Sequence, residues 1–365
     1  MNPTTTTISV VIPNYNYAAY VGVAIASALN LDWPSVEVIV IDDGSTDRSR
    51  EVIASYGERI KVILQENSGQ LVACNKGFAM SRGEVVIFLD SDDVLHPSLA
   101  RELAAVWTPT TSKVQVQMQV VDGRGQPTGA YFPQFHIVPT PQQVREWSAR
   151  TTAYPTPPGS ANAYSRAFLE QIFPLVETAG KANDSYCLAA APFLGDVTTI
   201  AKPLVSYRVH DRNQGALSKL DIHQFERQMT RAMQREAYAR GIAERAGVPM
   251  TDRAIDRNLG FLAYRLASLK LAPAKHPRAG DSVPRVLADV VRAFFAPQGV
   301  ALPGRVAMLG WAIVVGLLPA VLARGPILWR FAPGTRPQAL RKLLTALRIV
   351  RGARDVQGAG SAGPS

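Results

Sequence analysis

Short apolar runs and helix-like segments alternate over the first part of the chain. The apolar runs predict strands at 8–12, 36–41, 60–64 and 85–89. The helix-like segments predict helices at 20–29, 47–56, 70–80 and 97–107. Alternation of this kind is typical of a parallel sheet covered by helices.

Polar clusters follow three of these predicted strands, at 13–16, 42–45 and 90–93. In open parallel sheets, ligands bind beyond the carboxyl ends of the strands. The sequence therefore predicts that the three clusters meet at one edge of the sheet and share a nucleotide pocket.

The stretch FLDSDD, at 88–93, places three carboxylates directly after an apolar run. On an extended backbone Asp90 and Asp92 would point to one side of the strand and Asp93 to the other. Two aligned carboxylates suit a hard divalent cation, Mg²⁺ or Mn²⁺ rather than zinc. The alternative is a turn whose Ser91 and Asp side chains cap the next helix.

Four strings of the chain resemble, in order and spacing, the inverting family-2 glycosyltransferases: SVVIPNYN, VIVIDDGSTD, ENSGQLVACNKGFAMSRGE and FLDSDD. Asn183-Asp184 and YRVHDRN at 207–213 extend the resemblance, which covers about residues 8–215. It implies an α/β fold of the GT-A type, a Rossmann-like nucleotide-diphospho-sugar transferase. We then expect a mostly parallel sheet with helices on both faces, followed by a C-terminal helical region.

The resemblance also assigns the donor side of the site. It implies that Asp42 contacts the nucleobase, with Asp43 as the less favoured candidate, and that Pro13, Asn14 and Tyr15 line the base pocket. A carboxylate can accept the uracil ring N–H, which favours a uridine donor. The alternatives are an Asx turn formed by the two Asp residues and an ordinary half-buried aromatic for Tyr15.

The same resemblance places Asp90 and Ser91 against the donor, with Asp90 on the ribose or the metal. It implies that Asp92 ligates Mg²⁺ or Mn²⁺ between the two phosphates. His210 matches a histidine that contacts the metal or the diphosphate, and Arg208 offers a second positive charge. A structural role remains the alternative for His210.

Asp184 matches the catalytic base of the family, which usually has Glu-Asp where this chain has Asn183-Asp184. The alternative is that Asp184 caps the following helix, where a negative charge meets the positive end of the helix dipole. Residues 157–168 match the acceptor-side loop, in which Arg166 could meet a diphosphate. A plain surface loop is the alternative there.

Charge divides the 365-residue chain in two. Residues 1–200 carry 13 Lys or Arg and 19 Asp or Glu, whereas residues 201–365 carry 26 and 10. An uncharged stretch at 306–323 lies between Arg305 and Arg324, in a strongly basic region that would attract anionic lipid. We expect an interfacial or re-entrant helix pair. The alternatives are a buried helix of a soluble accessory domain and, without a recognisable motif, nucleic-acid binding.

The predicted organisation is a catalytic domain at 1–220, a helical extension at 221–280, membrane-associating helices at 281–350 and a disordered tail at 351–365. The polar start of the chain shows no secretory signal. We therefore expect a peripheral or monotopic protein on the cytoplasmic side of the inner or plasma membrane.

The expected function is transfer of one sugar from a nucleotide sugar to a glycan or lipid-linked glycan, with inversion and with a metal ion. The expected partners are that donor, that acceptor and an anionic membrane surface, without nucleic acid. Two rival functions stay open. One is a catalytically silent nucleotide-binding scaffold of a membrane glycan assembly. The other is a sugar nucleotidyltransferase, whose glycine-rich loop after the first strand is missing here.

Overall fold

The computed structural model describes residues 1, 6–135, 137–176, 183–210, 222–296, 298–332, 335–340 and 342. The chain divides into two compact units. The first consists of Met1–Ala149, Tyr154–His210 and Gln234–Met250. The second consists of Arg150–Ala153, Asp211–Met233 and Thr251–Ser365.

The first unit is built on one sheet. Its strands are β1 Ile8–Asn14, β2 Val36–Asp43, β3 Lys61–Gln65, β4 Val85–Phe88, β5 Val94–Leu95, β6 Thr111–Val121, β7 Pro127–Phe132, β8 Asn162–Ser165 and β9 Asp196–Arg208. Their order across the sheet is β3-β2-β1-β4-β8-β6-β9-β5, and β7 pairs with β6.

The half of the sheet formed by β1 to β4 is parallel, and its four strands are those predicted from the apolar runs. The other half is mixed. β8 is antiparallel to both β4 and β6, β6 is parallel to β9, and β5 and β7 are antiparallel edge strands. The α/β fold is confirmed: the half that carries β1 to β4 is parallel throughout, and β6 and β9 add a further parallel pair in the mixed half.

Helices connect the strands and form the second unit. They are α1 Val21–Leu29, α2 Ser49–Ala54, α3 Gln70–Met80, α4 Leu99–Val106, α5 Pro141–Thr151, α6 Arg166–Leu169, α7 Asn183–Leu194, α8 Ile222–Arg245, α9 Leu259–Leu271, α10 Val283–Phe295, α11 Leu302–Leu317 and α12 Ala320–Phe331. The four helices predicted between 20 and 107 correspond to α1 to α4, with ends that differ by up to two residues.

Both faces of the sheet are covered, as predicted. Alternate residues of β1 point to opposite faces. Ile8, Val10 and Ile12 pack in the core that contains α1 and α4, whereas Val11 packs in the core that contains α3 and α7. The helix α3 lies very close to the strands, because a Cβ atom added at Gly77 would be 2.3 Å from Val11 Cγ1.

The second unit is helical and has its own core, which is formed by α9, α10, α11 and α12. Arg265 of α9 is fully buried and forms ion pairs with Asp256, Asp281 and Asp289. A buried guanidinium needs such partners, because an uncompensated buried charge is strongly destabilising.

The observed units differ from the predicted domain boundaries. Gln234–Met250 belongs to the first unit, so the predicted extension at 221–280 is divided between the two units. The predicted apolar stretch at 306–323 forms most of α11 and the start of α12. Among the described helices, none has both the length and the apolar character required to cross a membrane. The predicted tail at 351–365 lies outside the described residues.

Candidate active site

Three parallel strands of the first unit end at one edge of the sheet, which we call the carboxyl edge. β1 pairs in parallel with β2 and β4, and its register sets Asn14 opposite Asp42. The turn after β4 is tied to β1, because the Ser91 hydroxyl donates to the Pro13 carbonyl at 2.8 Å. The three polar clusters thus lie together, as predicted.

A fourth segment reaches the carboxyl edge through the mixed half of the sheet. Two antiparallel steps, from β4 to β8 and from β8 to β6, restore the direction of β4. β9 is parallel to β6 and ends at Arg208, two residues before His210. The topology therefore brings His210 to Asp92 across 118 residues of sequence.

The acidic residues after β4 form a tight turn, so the predicted extended backbone is wrong. Ser91 and Asp92 are turn residues, and the Asp93 amide donates to the Asp90 carbonyl at 3.1 Å. Because the backbone turns, the three carboxylates do not alternate between two sides of a strand. Each meets different partners.

Asp93 is the buried member of the acidic turn. Its carboxylate accepts from the Ser160 hydroxyl at 2.6 Å and from the Arg208 amide at 3.2 Å. Burial raises the pKa of Asp93, and the charges of Asp90 and Asp92 act in the same direction. Asp93 thus ties together three distant segments of the chain at the carboxyl edge.

Asp90 lies against Gly159 and Ser160, which come shortly before β8. A Cβ atom added at Gly159 would lie 2.6 Å from Asp90 Oδ2, and Gly159 has a φ of +32°. Gln70 donates to Asp90 Oδ1 at 3.1 Å. Burial, with the negative charges of Asp92 and Asp184, raises the pKa of Asp90 to about 7. A cation bound at this position would favour the ionised carboxylate.

Asp92 and His210 form the pair that best fits a divalent cation. His210 Nε2 lies 3.1 Å from Asp92 Oδ2, and both side chains are largely buried. The His210 ring stacks on Tyr20 with centroids 4.8 Å apart and meets the edge of Tyr17, which fixes its orientation.

The described residues contain no group of three or more His, Cys, Asp or Glu side chains placed to hold a metal. Mg²⁺ and Mn²⁺ sites that handle phosphates do not need one, because one or two carboxylates and the substrate oxygens complete the coordination. The donor set of Asp92 and His210 therefore fits an ion that is shared with a diphosphate.

Arg208 lies beside this pair, but its guanidinium is engaged by the protein. Its Nε donates to the Asp92 carbonyl at 3.1 Å, and one terminal nitrogen donates to the Gly123 carbonyl at 3.3 Å. Its charge also lies 5.1 Å from the centre of the Tyr20 ring. Arg208 thus supports the acidic turn and keeps a positive charge next to Asp92.

Asp184 lies in the first turn of α7, close to Gly159 and Asp90. Burial raises its pKa, although the charge of Arg235 and hydrogen bonds from the amides of Gly159 and Ser185 oppose the shift. Asp184 therefore occupies a helix start, as in the capping alternative, and also shares the site with Asp90. A carboxylate with a raised pKa is a stronger base than an exposed one.

Known proteins share sequence and fold with this chain. Residues 9–173 match the family model described as glycosyl transferase family 2. This region is a family-2 glycosyltransferase domain. An uncharacterized glycosyltransferase of Nostoc sp., alr2836, is 36% identical over 213 residues, which cover 56% of this chain and 66% of that protein.

A second relative is the putative teichuronic acid biosynthesis glycosyltransferase TuaG of Bacillus subtilis, 43% identical over 90 residues. That alignment covers 24% of this chain and 36% of TuaG, so this chain spans less than two thirds of either relative. Residues 1–349 of S. aureus TarS, solved with UDP-GlcNAc, superpose with a TM-score of 0.51 at 18% identity. The match covers 92% of both chains and is a likeness of fold.

In the glycosyltransferase domain, the acids predicted to contact the nucleobase accept hydrogen bonds from other residues of the chain. Asp42 is fully buried and accepts from Asn14 Nδ2 at 3.0 Å, the Ser45 amide at 3.0 Å and Arg50 Nε at 2.8 Å. Burial acts to raise the pKa of Asp42, but the hydrogen bonds from Arg50, Ser45 and Asn14 lower it. Asp42 therefore supports the turn that leads to Ser45, and its contact with a nucleobase stays a prediction. Tyr15, by contrast, is 46% exposed.

The carboxylate of Asp43, the other candidate for the nucleobase contact, also accepts hydrogen bonds within the protein. It accepts from Gln65 Nε2 at 2.6 Å and from the amides of Ser68 and Gly69 at 2.7 and 2.8 Å. A nucleobase could bind one of these two carboxylates without breaking the loop only if it displaced an exposed hydrogen-bond partner. Arg50, whose side chain is 47% exposed, is such a partner of Asp42.

Arg166 does not belong to this site, contrary to its predicted diphosphate contact. β8 is antiparallel to β4, with Ser165 opposite Val85, so Arg166 lies at the end of β4 away from the acidic turn. Its Nε donates to the Gly83 carbonyl at 2.8 Å and a terminal nitrogen donates to the Ser81 hydroxyl at 2.7 Å. Arg166 therefore closes the opposite edge of the sheet.

Several residues that shape the site were not predicted from the sequence. Gln70 and Gly159 contact Asp90, Ser160 binds Asp93, and Tyr20 stacks on His210. Gln70 lies within a string that resembles the family, and Gly159 and Ser160 lie in the segment 157–168 assigned to the acceptor side. Their positions were therefore available from the sequence, but their partners were not.

Proposed function

We propose that this chain transfers a single sugar from a UDP-sugar to a hydroxyl group of a glycan or lipid-linked glycan, with inversion at the anomeric carbon. The observation that supports it best is the meeting of Asp90 and Asp184 at Gly159, beside the pair formed by Asp92 and His210. The acids proposed to bind the donor and the carboxylate proposed as the catalytic base thus share one site.

Asp184 removes a proton in the proposed reaction. The acceptor oxygen attacks the anomeric carbon, the bond from that carbon to the phosphate oxygen breaks, and the hydroxyl proton passes to a carboxylate oxygen of Asp184. Asp184 can do so because its pKa is raised by burial. The nucleoside diphosphate leaves from the opposite side, which inverts the configuration.

Asp92 and His210 would hold Mg²⁺ or Mn²⁺, which when bound stabilises the negative charge that develops on the departing diphosphate. Asp90 accepts a hydrogen bond from the ribose of the donor, in the place where Gln70 now donates to it. Asp93 and Arg208 keep the acidic turn in position.

Isothermal titration and a transfer assay test this proposal together. UDP should bind wild type more tightly with Mn²⁺ than without it, and Asp92→Ala should remove that difference. Asp184→Asn should keep the metal-dependent binding and lose transfer. Asp32→Asn changes an exposed carboxylate, 51% accessible, and serves as the matched control.

The outcomes separate the rival functions. Metal-dependent UDP binding by wild type without transfer to any membrane extract would favour the silent scaffold. Full turnover by Asp184→Asn would refute the assignment of the base. Formation of a nucleotide sugar from a sugar phosphate and UTP would favour the nucleotidyltransferase.

A further inference from the structure

The helix α11 of the second unit exposes a face that carries no charge. Apart from Pro303, its exposed residues are Leu302, Val306, Gly310, Ile313, Val314 and Leu317. At 100° per residue these positions fall within an arc of about 120°. We call them, with Val321 and Leu322 that follow at the start of α12, the apolar strip.

The apolar strip is held in a fixed orientation by the rest of the unit. The opposite face of α11 buries Met308, Ala312 and Val315 in the core formed with α9, α10 and α12. Lys270 of α9 donates to the Gly316 and Leu318 carbonyls, both at 2.8 Å, and so caps the end of α11. The exposed face is thus a consequence of packing on the other side.

Exposure is largest where α11 ends and α12 begins. Leu317 is 77% exposed and Val321 is 85% exposed. Phe295, at the end of α10, is 75% exposed as well. Contiguous apolar surface of this kind marks an interaction site in a folded protein.

The charge around the apolar strip selects the partner. The described residues between 290 and 342 include six Lys or Arg and no Asp or Glu. Arg324, two residues after Leu322, is exposed, and so is Arg292 of α10, which also pairs with Asp289 at 2.6 Å. A second copy of this chain would bring the same positive charge and would be repelled, whereas anionic lipid headgroups would be attracted.

We propose that the apolar strip lies flat on the surface of an anionic lipid bilayer, with its side chains at the boundary between headgroups and acyl chains. The flanking arginines contact the headgroups. This docking needs no nucleotide, so its failure would leave the proposed transfer reaction untouched.

Flotation of the full chain with vesicles tests the docking. Wild type should float with vesicles that mix phosphatidylcholine and phosphatidylglycerol, and much less with phosphatidylcholine alone. The double variant Leu317→Glu with Val321→Glu should bind the anionic vesicles about tenfold or more weakly, because both charges would enter the interface. Both positions are exposed, so the variant should unfold at the wild-type temperature.

Ile137→Glu is the matched control, because Ile137 is 73% exposed in the first unit, outside the strip. It should float like wild type. Equal flotation of the strip variant and wild type with anionic vesicles would overturn the proposal. Absence of wild-type flotation would also overturn it.

A fluorescent label gives a second readout. Cys74 and Cys187 are buried, so Leu317→Cys provides one accessible thiol for an environment-sensitive dye. Anionic vesicles should shift the dye emission to shorter wavelength. A shift in buffer alone, together with a dimer mass that the double Glu variant loses, would show that a second copy covers the strip and would refute the proposal.

Discussion

One methyl group at Gly159 should damage the donor side and the base side of the site together. Gly159 lies between Asp90 and Asp184, since its missing Cβ would be 2.6 Å from Asp90 Oδ2 and its amide donates to Asp184. The added methyl group of Gly159→Ala would therefore clash with a carboxylate oxygen of Asp90.

The structure sets the size of the effect. To reach an ordinary contact of 3.4 Å, Asp90 must retreat by about 0.8 Å. A displacement near 1 Å at a reacting site costs roughly a hundredfold in rate. The φ of +32° at Gly159 adds strain of about 1–3 kcal/mol to the folded state. We expect kcat/KM to fall roughly a hundredfold and Tm to fall by a few degrees.

Gly57→Ala separates strain from crowding. Gly57 also has a positive φ, +55°, but an added Cβ there would meet nothing within 4 Å. This variant should lose a similar amount of stability and keep its activity. Initial rates of UDP release with acceptor, and thermal unfolding of both variants, provide the comparison. If Gly159→Ala were as active as Gly57→Ala, the contact between Gly159 and Asp90 would have no functional weight.

Further predictions concern single side chains of the first unit. His210→Ala should weaken the Mn²⁺-dependent part of UDP binding and spare the metal-independent part, as measured by titration calorimetry; unchanged metal dependence would remove His210 from the metal site. Because burial raises the pKa of Asp184, its basic form is lost as pH falls through that raised value. The acid limb of kcat/KM should therefore lie above the range of an exposed aspartate, and a limb in the ordinary range would contradict the role of base. Arg166→Ala should lower Tm and leave the donor KM unchanged, since Arg166 binds Gly83 and Ser81 at the far edge; a large rise in KM would restore the diphosphate contact.

The parallel half of the sheet could be predicted because its signals are local. Each of β1 to β4 is a short apolar run, and α1 to α4 coincide, to within two residues at each end, with segments that already look helical in the sequence. The polar clusters that follow β1, β2 and β4 meet because parallel strands end at the same edge. These features need only the sequence of one segment and one rule of topology.

The mixed half of the sheet depends on pairings that no short window contains. β6 pairs with β9 across some 85 residues, for example Thr111 with Asp196. The antiparallel β8 between β4 and β6 sends its two ends to opposite edges. Gly159 therefore reaches Asp90, and Arg166, only seven residues later, lies at the far end of the strand.

The sequence by itself determined which residues could carry the chemistry: the acids at 90–93, Asp184 and the segment that ends at His210. Tertiary structure decided their partners. A backbone turn, rather than strand parity, aims Asp92 at His210, and protein hydrogen bonds occupy Asp42. The physical reason is that side-chain type is a local property, whereas direction, burial and charge balance are set by neighbours that arrive from distant parts of the chain.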